Sequence, residues 1–150
     1  MSSEKLIEVK NLKKYFKVNK GLLHAVDDLS FHIDRGETLG LVGESGCGKS
    51  TTGRTLIRLI EANDGEVLFG GKNVLTLNKR ELHEYRQRMQ MVFQDPYSSL
   101  NPRLSIFDLI AEPLMNIPEY DSDKEKVYNR VTELMDIVGI SRRLINSYPH

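Results

Sequence analysis

The chain has 150 residues, 39% hydrophobic and 28% charged, enough for one ordinary folded core. Its 21 Lys+Arg balance 21 Asp+Glu, which argues against a general attraction to nucleic acid or anionic lipid. A single cysteine, Cys47, excludes an internal disulfide and a cysteine metal cluster, and no apolar run approaches the roughly 20 residues of a membrane span. Met1-Ser2-Ser3-Glu4-Lys5 lacks the apolar stretch of a signal peptide, so the balance reads as that of a cytosolic protein.

In chain order, Leu6, Ile7 and Val9 mark an entry strand over residues 5–10. A basic stretch from Lys13 to Lys20 is interrupted by Tyr15, Phe16 and Val18. Asp27 and Asp28 read as a turn pair. Alternation returns at Leu29, Phe31 and Ile33, with Ser30 and His32 on the other face. Asp34-Arg35-Gly36 is a turn into a short buried strand, Thr38-Leu39-Gly40-Leu41-Val42. The first forty or so residues therefore predict an antiparallel flap.

Residues 43–51, Gly43-Glu44-Ser45-Gly46-Cys47-Gly48-Lys49-Ser50-Thr51, match G-x-x-x-x-G-K-[ST], a phosphate-binding loop. The chemistry accounts for the spacing. A polyphosphate needs many donors in a small volume, and main-chain N–H groups supply them where glycine lets the chain wrap closely. Gly43, Gly46 and Gly48 meet that need, Lys49 adds a cation on a long stem, and the Ser50 hydroxyl can ligand Mg²⁺. A helix over Ser50–Ile60, with Leu56, Leu59 and Ile60 at helical spacing, points its positive end at the anion. Arg54 and Arg58 lie one turn apart on its surface. Cys47 reads as a small filler; a reactive thiol is the alternative. The rival to the whole assignment is a glycine-rich turn without a ligand, which does not call for the order strand, loop, helix.

Asn63-Asp64-Gly65 then turns, Glu66–Phe69 is a strand, and Gly70-Gly71 turns again. Asn78 with Glu81 makes a capping box for a helix running to Arg86, and Lys79, Arg80, Arg86 and Arg88 form its solvated face. Met89–Phe93 reads as a short apolar strand ending at Gln94. Asp95-Pro96 and Asn101-Pro102 bracket a loop. Beyond it Ile106–Met115 is helical, bent or ended early by Pro113. Ser122 with Glu125 forms a second capping box, and Val127, Val131, Leu134, Met135 and Val138 make one core-facing stripe. Gly139 stops that helix and Ser141 starts a short one. His24, His32, His83 and His150 have no metal-ligand spacing and read as ordinary surface or core residues. A composition shift near residue 100 suggests an α/β core carrying a helical subdomain.

At Met91-Val92-Phe93-Gln94-Asp95-Pro96-Tyr97-Ser98-Ser99-Leu100-Asn101-Pro102-Arg103 a family resemblance emerges. Together with the phosphate loop and Ala25-Val26-Asp27-Asp28-Leu29-Ser30-Phe31, the string resembles the ATP-binding subunits of ABC transporters. It looks most like those of bacterial oligopeptide and dipeptide (also nickel) importers, and the resemblance covers essentially the whole chain. It implies an α/β P-loop NTPase core of ABC ATPase type with an N-terminal antiparallel β subdomain and the start of a helical subdomain. On that reading residues 1–103 form the nucleotide-binding core and 104–150 begin the helical subdomain.

The resemblance also implies roles. Gly43, Ser45, Gly46, Cys47, Gly48, Lys49, Ser50 and Thr51 would hold ATP phosphates, with Mg²⁺ on Ser50 and Gln94. Gln94 looks like the Q-loop glutamine, a catalytic position whose amide touches the metal or the attacking water; alone it would read as a polar strand end. An upstream aromatic stacks on adenine in this family. Phe16 matches that position best, Tyr15 is the alternative, core packing is a rival for Phe16, and Val26 also lines the base. Implied partners are a second ATP-binding subunit in a homo- or heterodimer, transmembrane permease subunits and, indirectly, an extracytoplasmic solute-binding protein. Nucleic acid is not among them, and the implied location is peripheral, on the inner face of the cell membrane.

Within the 150 residues there is no Leu-Ser-Gly-Gly-Gln-type signature and no run of four apolar residues followed by Asp-Glu. The chain therefore reads as the N-terminal portion of a longer subunit, with an incomplete sheet. The leading function is ATP binding, and hydrolysis in the whole subunit, to power import of peptides or a related solute. The alternative is a nucleotide-binding or interaction module without turnover. A GTPase is a weaker reading, since Asn78-Lys79-Arg80-Glu81 carries Glu where guanine recognition wants Asp. A small-molecule kinase and a ribosome- or repair-associated ABC protein are further alternatives.

Overall fold

A computed structural model describes residues 4–95, 99–120 and 122–149 of the chain. These fall into two compact units, Met1–Met91 and Val92–His150.

The first unit is built on a four-stranded antiparallel sheet in the order β2-β1-β3-β4, with β1 Lys5–Val18, β2 Gly21–Asp34, β3 Asp64–Phe69 and β4 Lys72–Asn73. The expected flap is thus one long hairpin. Simple alternation does not describe its buried positions: Val9 and Leu12 are both in the core, three residues apart. The cause is a bulge. Asn11 takes φ 48° in β1 and Asp28 takes φ 53° in β2, and the Asn11 side-chain amide donates to the Asp28 carboxylate across the break at 2.7 Å. Asp27 and Asp28, read from sequence as a turn pair, lie inside β2 because this bulge absorbs them.

The core of this unit gathers Val9, Leu12, Val26, Val67, Phe69, Val74 and Tyr85. Tyr85 comes from α2, Lys79–Arg86, and meets the Phe69 ring edge-on at 5.1 Å. The capping box of α2 forms as expected, Asn78 accepting from the Glu81 amide and Glu81 accepting from the Asn78 amide.

Helix α1 spans Lys49–Leu56, shorter than the expected Ser50–Ile60. It closes in a Schellman arrangement: Leu59 N–H donates to Arg54 O at 2.8 Å and Arg58 N–H to Thr55 O at 3.0 Å. The left-handed position, φ 53°, falls on Arg58 rather than on a glycine. That conformation is held because its guanidinium donates to the carbonyls of Leu77 at 2.7 Å and Val74 at 3.4 Å and pairs with Glu61 at 3.1 Å. Arg58, expected on the helix surface, is instead a half-buried brace between the end of α1 and the segment before α2.

Two expected strands are not formed. Thr38–Val42 and Met89–Phe93 have no regular structure, and Val42 and Val92 are 89% and 96% exposed. Among the described residues no strand lies beside either segment to accept and donate ladder hydrogen bonds, and a lone strand has nothing to hold it.

The second unit packs α3, Ile106–Met115, against α4, Lys124–Ile137, through Ala111, Leu114, Val127, Val131 and Met135. Pro113 does not end α3 early, since the buried Ala111 and Leu114 on either side anchor the last turn. The cap of α3 is a Ser105–Asp108 box, and its first two amides donate to Ser147 O and Ile145 O at 2.8 and 2.9 Å. The cap of α4 is Asp123, accepting from the Lys126 amide, not the expected Ser122, whose φ of 67° places it outside the helix. Val127, Val131 and Met135 carry the predicted stripe inward, whereas Val138 at its end is exposed. Gly139, at φ 75°, provides the left-handed stop, with Ile140 N–H donating back to Met135 O at 2.8 Å. Ser141 caps the short 3-10 turn Arg142–Leu144, as expected.

Met135 is fully buried between the helices. Met135→Ala is expected to destabilise the second unit by about 2–5 kcal/mol in urea titration, the cost of a large-to-small change in a packed core. No helix among the described residues is long and apolar enough to cross a membrane.

Candidate functional site

Lys49 opens α1, and the loop before it folds around its side chain. The ammonium donates to Gly43 O at 2.8 Å and Glu44 O at 2.6 Å and lies 3.5 Å from Cys47 Sγ. The cation thus rests on neutral carbonyls of its own loop. Gly48 is the N-cap, at φ 98°, and offers no side-chain cap; the first turn of α1 carries no acidic residue. Its first-turn amides and positive end are therefore left to an external anion. Below the loop, Thr52 and Thr55 are buried and donate their hydroxyls to Gly48 O and Thr51 O, tying the helix start to its own backbone.

Gly48 also shows why the loop sits where it does. A Cβ placed there would lie 2.0 Å from the Ala25 carbonyl oxygen of β2. The phosphate-loop backbone and the hairpin are in direct contact, and only glycine permits it.

Between the two lies a cleft of about 290 Å³ lined by Phe16, Leu23, His24, Ala25, Gly46, Cys47, Gly48, Lys49, Ser50 and Thr51. Six of the loop residues singled out from the sequence meet Phe16 here. Gly43 contributes a carbonyl to Lys49, and Ser45 is an exposed turn residue beside the cleft. Val26 is buried in the core, its Cγ2 4.0 Å from where a Gly48 Cβ would be, so it supports the loop from beneath. Gln94 belongs to the second unit and is exposed. The Pro96-Tyr97-Ser98 part of the distinctive string and His150 lie outside the described residues.

Of the two aromatic candidates, Phe16 lines the cleft and Tyr15 does not. The Lys14 ammonium sits 4.9 Å from the Phe16 ring centroid. Tyr15 is engaged elsewhere. Its hydroxyl donates to Asp27 Oδ1 at 2.5 Å, and its ring stacks on His24 with centroids 4.0 Å apart. The Asp27 carboxylate raises the Tyr15 phenol to about 12, and the same hydrogen bond, helped by His24, holds Asp27 below the usual carboxylate range. No motif marks Leu23, His24 or Ala25 as functional; their place on the cleft follows from the hairpin register, in which Phe16 faces Leu23 and Tyr15 faces His24.

Among the described residues no group of three or more His, Cys, Asp or Glu side chains is placed to hold a metal ion. A larger hollow of about 440 Å³ in the second unit is walled mostly by apolar side chains such as Phe107, Met115 and Val127 and has no anion-binding loop.

A cation-bearing glycine loop at a helix start, facing an antiparallel hairpin, is the arrangement of a nucleotide-binding cassette. The chain belongs to the ABC transporter family, whose model matches residues 26–150. It is 55% identical to the oligopeptide transport ATP-binding protein OppF of Bacillus subtilis (strain 168), over 99% of this chain and 48% of that protein. It is 47% identical to the OppF protein of Haemophilus influenzae, over 95% of this chain and 43% of that one. The chain thus spans about half the length of the curated relatives it matches. Among solved structures, the dimeric ATP-binding cassette MJ0796 bound to ADP and Pi in a post-hydrolysis state superposes with a TM-score of 0.79 at 25% identity, covering 95% of this chain and 61% of that one. The fold class expected from the sequence is therefore correct, and its sheet is incomplete relative to the full cassette.

Proposed function

We propose that the cleft between Phe16 and residues 46–51 binds ATP, and that the whole subunit hydrolyses it to drive import of peptides or a related solute. The observation that carries this reading is the meeting of the loop cation, the uncapped helix start and an aromatic ring around one cleft. Lys49 exchanges neutral carbonyl acceptors for anionic phosphate oxygens, a stronger class of hydrogen bond. The amides of residues 46–51 take the remaining phosphate oxygens, and a free face of Phe16 receives the base. The donor set suits Mg²⁺ held jointly with a nucleotide: the Ser50 hydroxyl, at the first turn of α1, would be a protein ligand, and the ion would neutralise phosphate charge. Kinship with OppF proteins supports peptides as the transported class, a second cassette and permease subunits as partners, and a place on the inner face of the membrane.

Calorimetric titration with ATP and Mg²⁺ tests the binding half: saturable one-site binding is expected, and none would overturn it. For the isolated 150 residues we propose binding without turnover, since no apolar run followed by Asp-Glu is present to supply a metal carboxylate and a general base. Phosphate release at the buffer rate is the expected result; release that disappears in Lys49→Ala would refute it.

A further inference from the structure

The ladder between β1 and β2 is irregular beside the cleft. Its register shifts between Leu12 and Lys14 and again between Lys14 and Tyr15. Regular pairing resumes at Tyr15–His24 and continues through Phe16–Leu23 to Val18–Gly21. Side chains fix the pair at which it resumes. Tyr15 and His24 face each other across the strands, stacked at 4.0 Å, and both reach one carboxylate: Tyr15 O–H donates to Asp27 Oδ1 at 2.5 Å, and His24 Nδ1 lies 3.2 Å from Asp27 Oδ2. The Tyr15 amide is fixed separately, donating to Asn63 Oδ1 at 2.7 Å.

The cluster adjoins the cleft at two points. Tyr15 precedes Phe16, which lines it, and His24 precedes Ala25, whose carbonyl abuts Gly48. Asp27 itself does not line the cleft. We propose that Tyr15, His24 and Asp27 form a clamp that positions Phe16 over the phosphate loop, making Asp27 a positioning residue for the base end of a bound nucleotide. This rests on the nucleotide reading above and extends it to a residue that touches no ligand.

The clamp separates base from phosphate, and that separation is measurable. The chain is titrated with ATP and with inorganic tripolyphosphate, as wild type, Asp27→Ala, Asp27→Asn and Lys49→Ala. Asp27→Ala is expected to weaken ATP binding roughly tenfold while leaving tripolyphosphate within about twofold, because only the base loses its platform. Asp27→Asn keeps an oxygen that accepts from the Tyr15 hydroxyl and is expected to recover most of the ATP affinity. Lys49→Ala weakens both ligands. Unchanged ATP affinity in Asp27→Ala overturns the clamp alone. Equal losses for ATP and tripolyphosphate in Asp27→Ala also overturn it, since they report a general disturbance of the hairpin. A wild-type chain that binds neither ligand overturns the nucleotide reading and the clamp together.

Discussion

Lys49→Ala is expected to lower ATP affinity at least roughly 100-fold, to the edge of detection by calorimetry. The magnitude follows from what the ammonium does. It is the cation of the loop, already poised within 2.8 Å of two carbonyls at the loop's centre. Hydrogen bonds to charged groups contribute about 1.5–3 kcal/mol each, so losing two of them amounts to about two decades in Kd or more. The exposed loop otherwise keeps its backbone, and urea titration should show a much smaller change in stability than in affinity. Affinity equal to that of wild type would exclude this loop as the phosphate site.

Gly48→Ala is the second large effect, and it acts by shape instead of charge. The new Cβ would fall 2.0 Å from Ala25 O, and the residue holds φ 98°. Backbone strain of this kind costs about 1–3 kcal/mol before any clash is counted. The hairpin and loop must then move apart, so both stability and ATP affinity should fall, stability by about 3 kcal/mol or more. Gly46→Ala is the control. Gly46 also has a positive φ, 82°, but nothing stands within 4 Å of its Cβ position. It should show the strain and not the separation. Equal midpoints for the two variants in urea would mean that the Ala25 contact does not matter.

The parts legible in the sequence were those fixed by local chemistry. The Asn78–Glu81 box, the Gly139 stop and the glycine loop each need only a few neighbouring residues, and each forms as expected. The three-residue spacing from Val9 to Leu12 was not legible, because it depends on a bulge that pairs Asn11 with Asp28 across the hairpin. Thr38–Val42 and Met89–Phe93 have strand composition, but a strand exists only with a neighbour, and composition does not supply one. Arg58 hid its role for a related reason: its acceptors, the carbonyls of Val74 and Leu77, are distant in sequence. The candidate site divides in the same way. The loop could be read from a contiguous motif, whereas the Tyr15–His24–Asp27 cluster appears only once the strands are in register.

The paired break at Asn11 and Asp28 bears on how the molecule behaves in company. β2 is an edge strand, and a straight margin of fourteen residues would invite another polypeptide to add itself on. Midway along, the backbone reverses hand at Asp28, φ 53°, so an incoming chain would find the even run of donors and acceptors broken there. Runaway stacking into fibrils is discouraged at that border by the same kink that lets the hairpin bend.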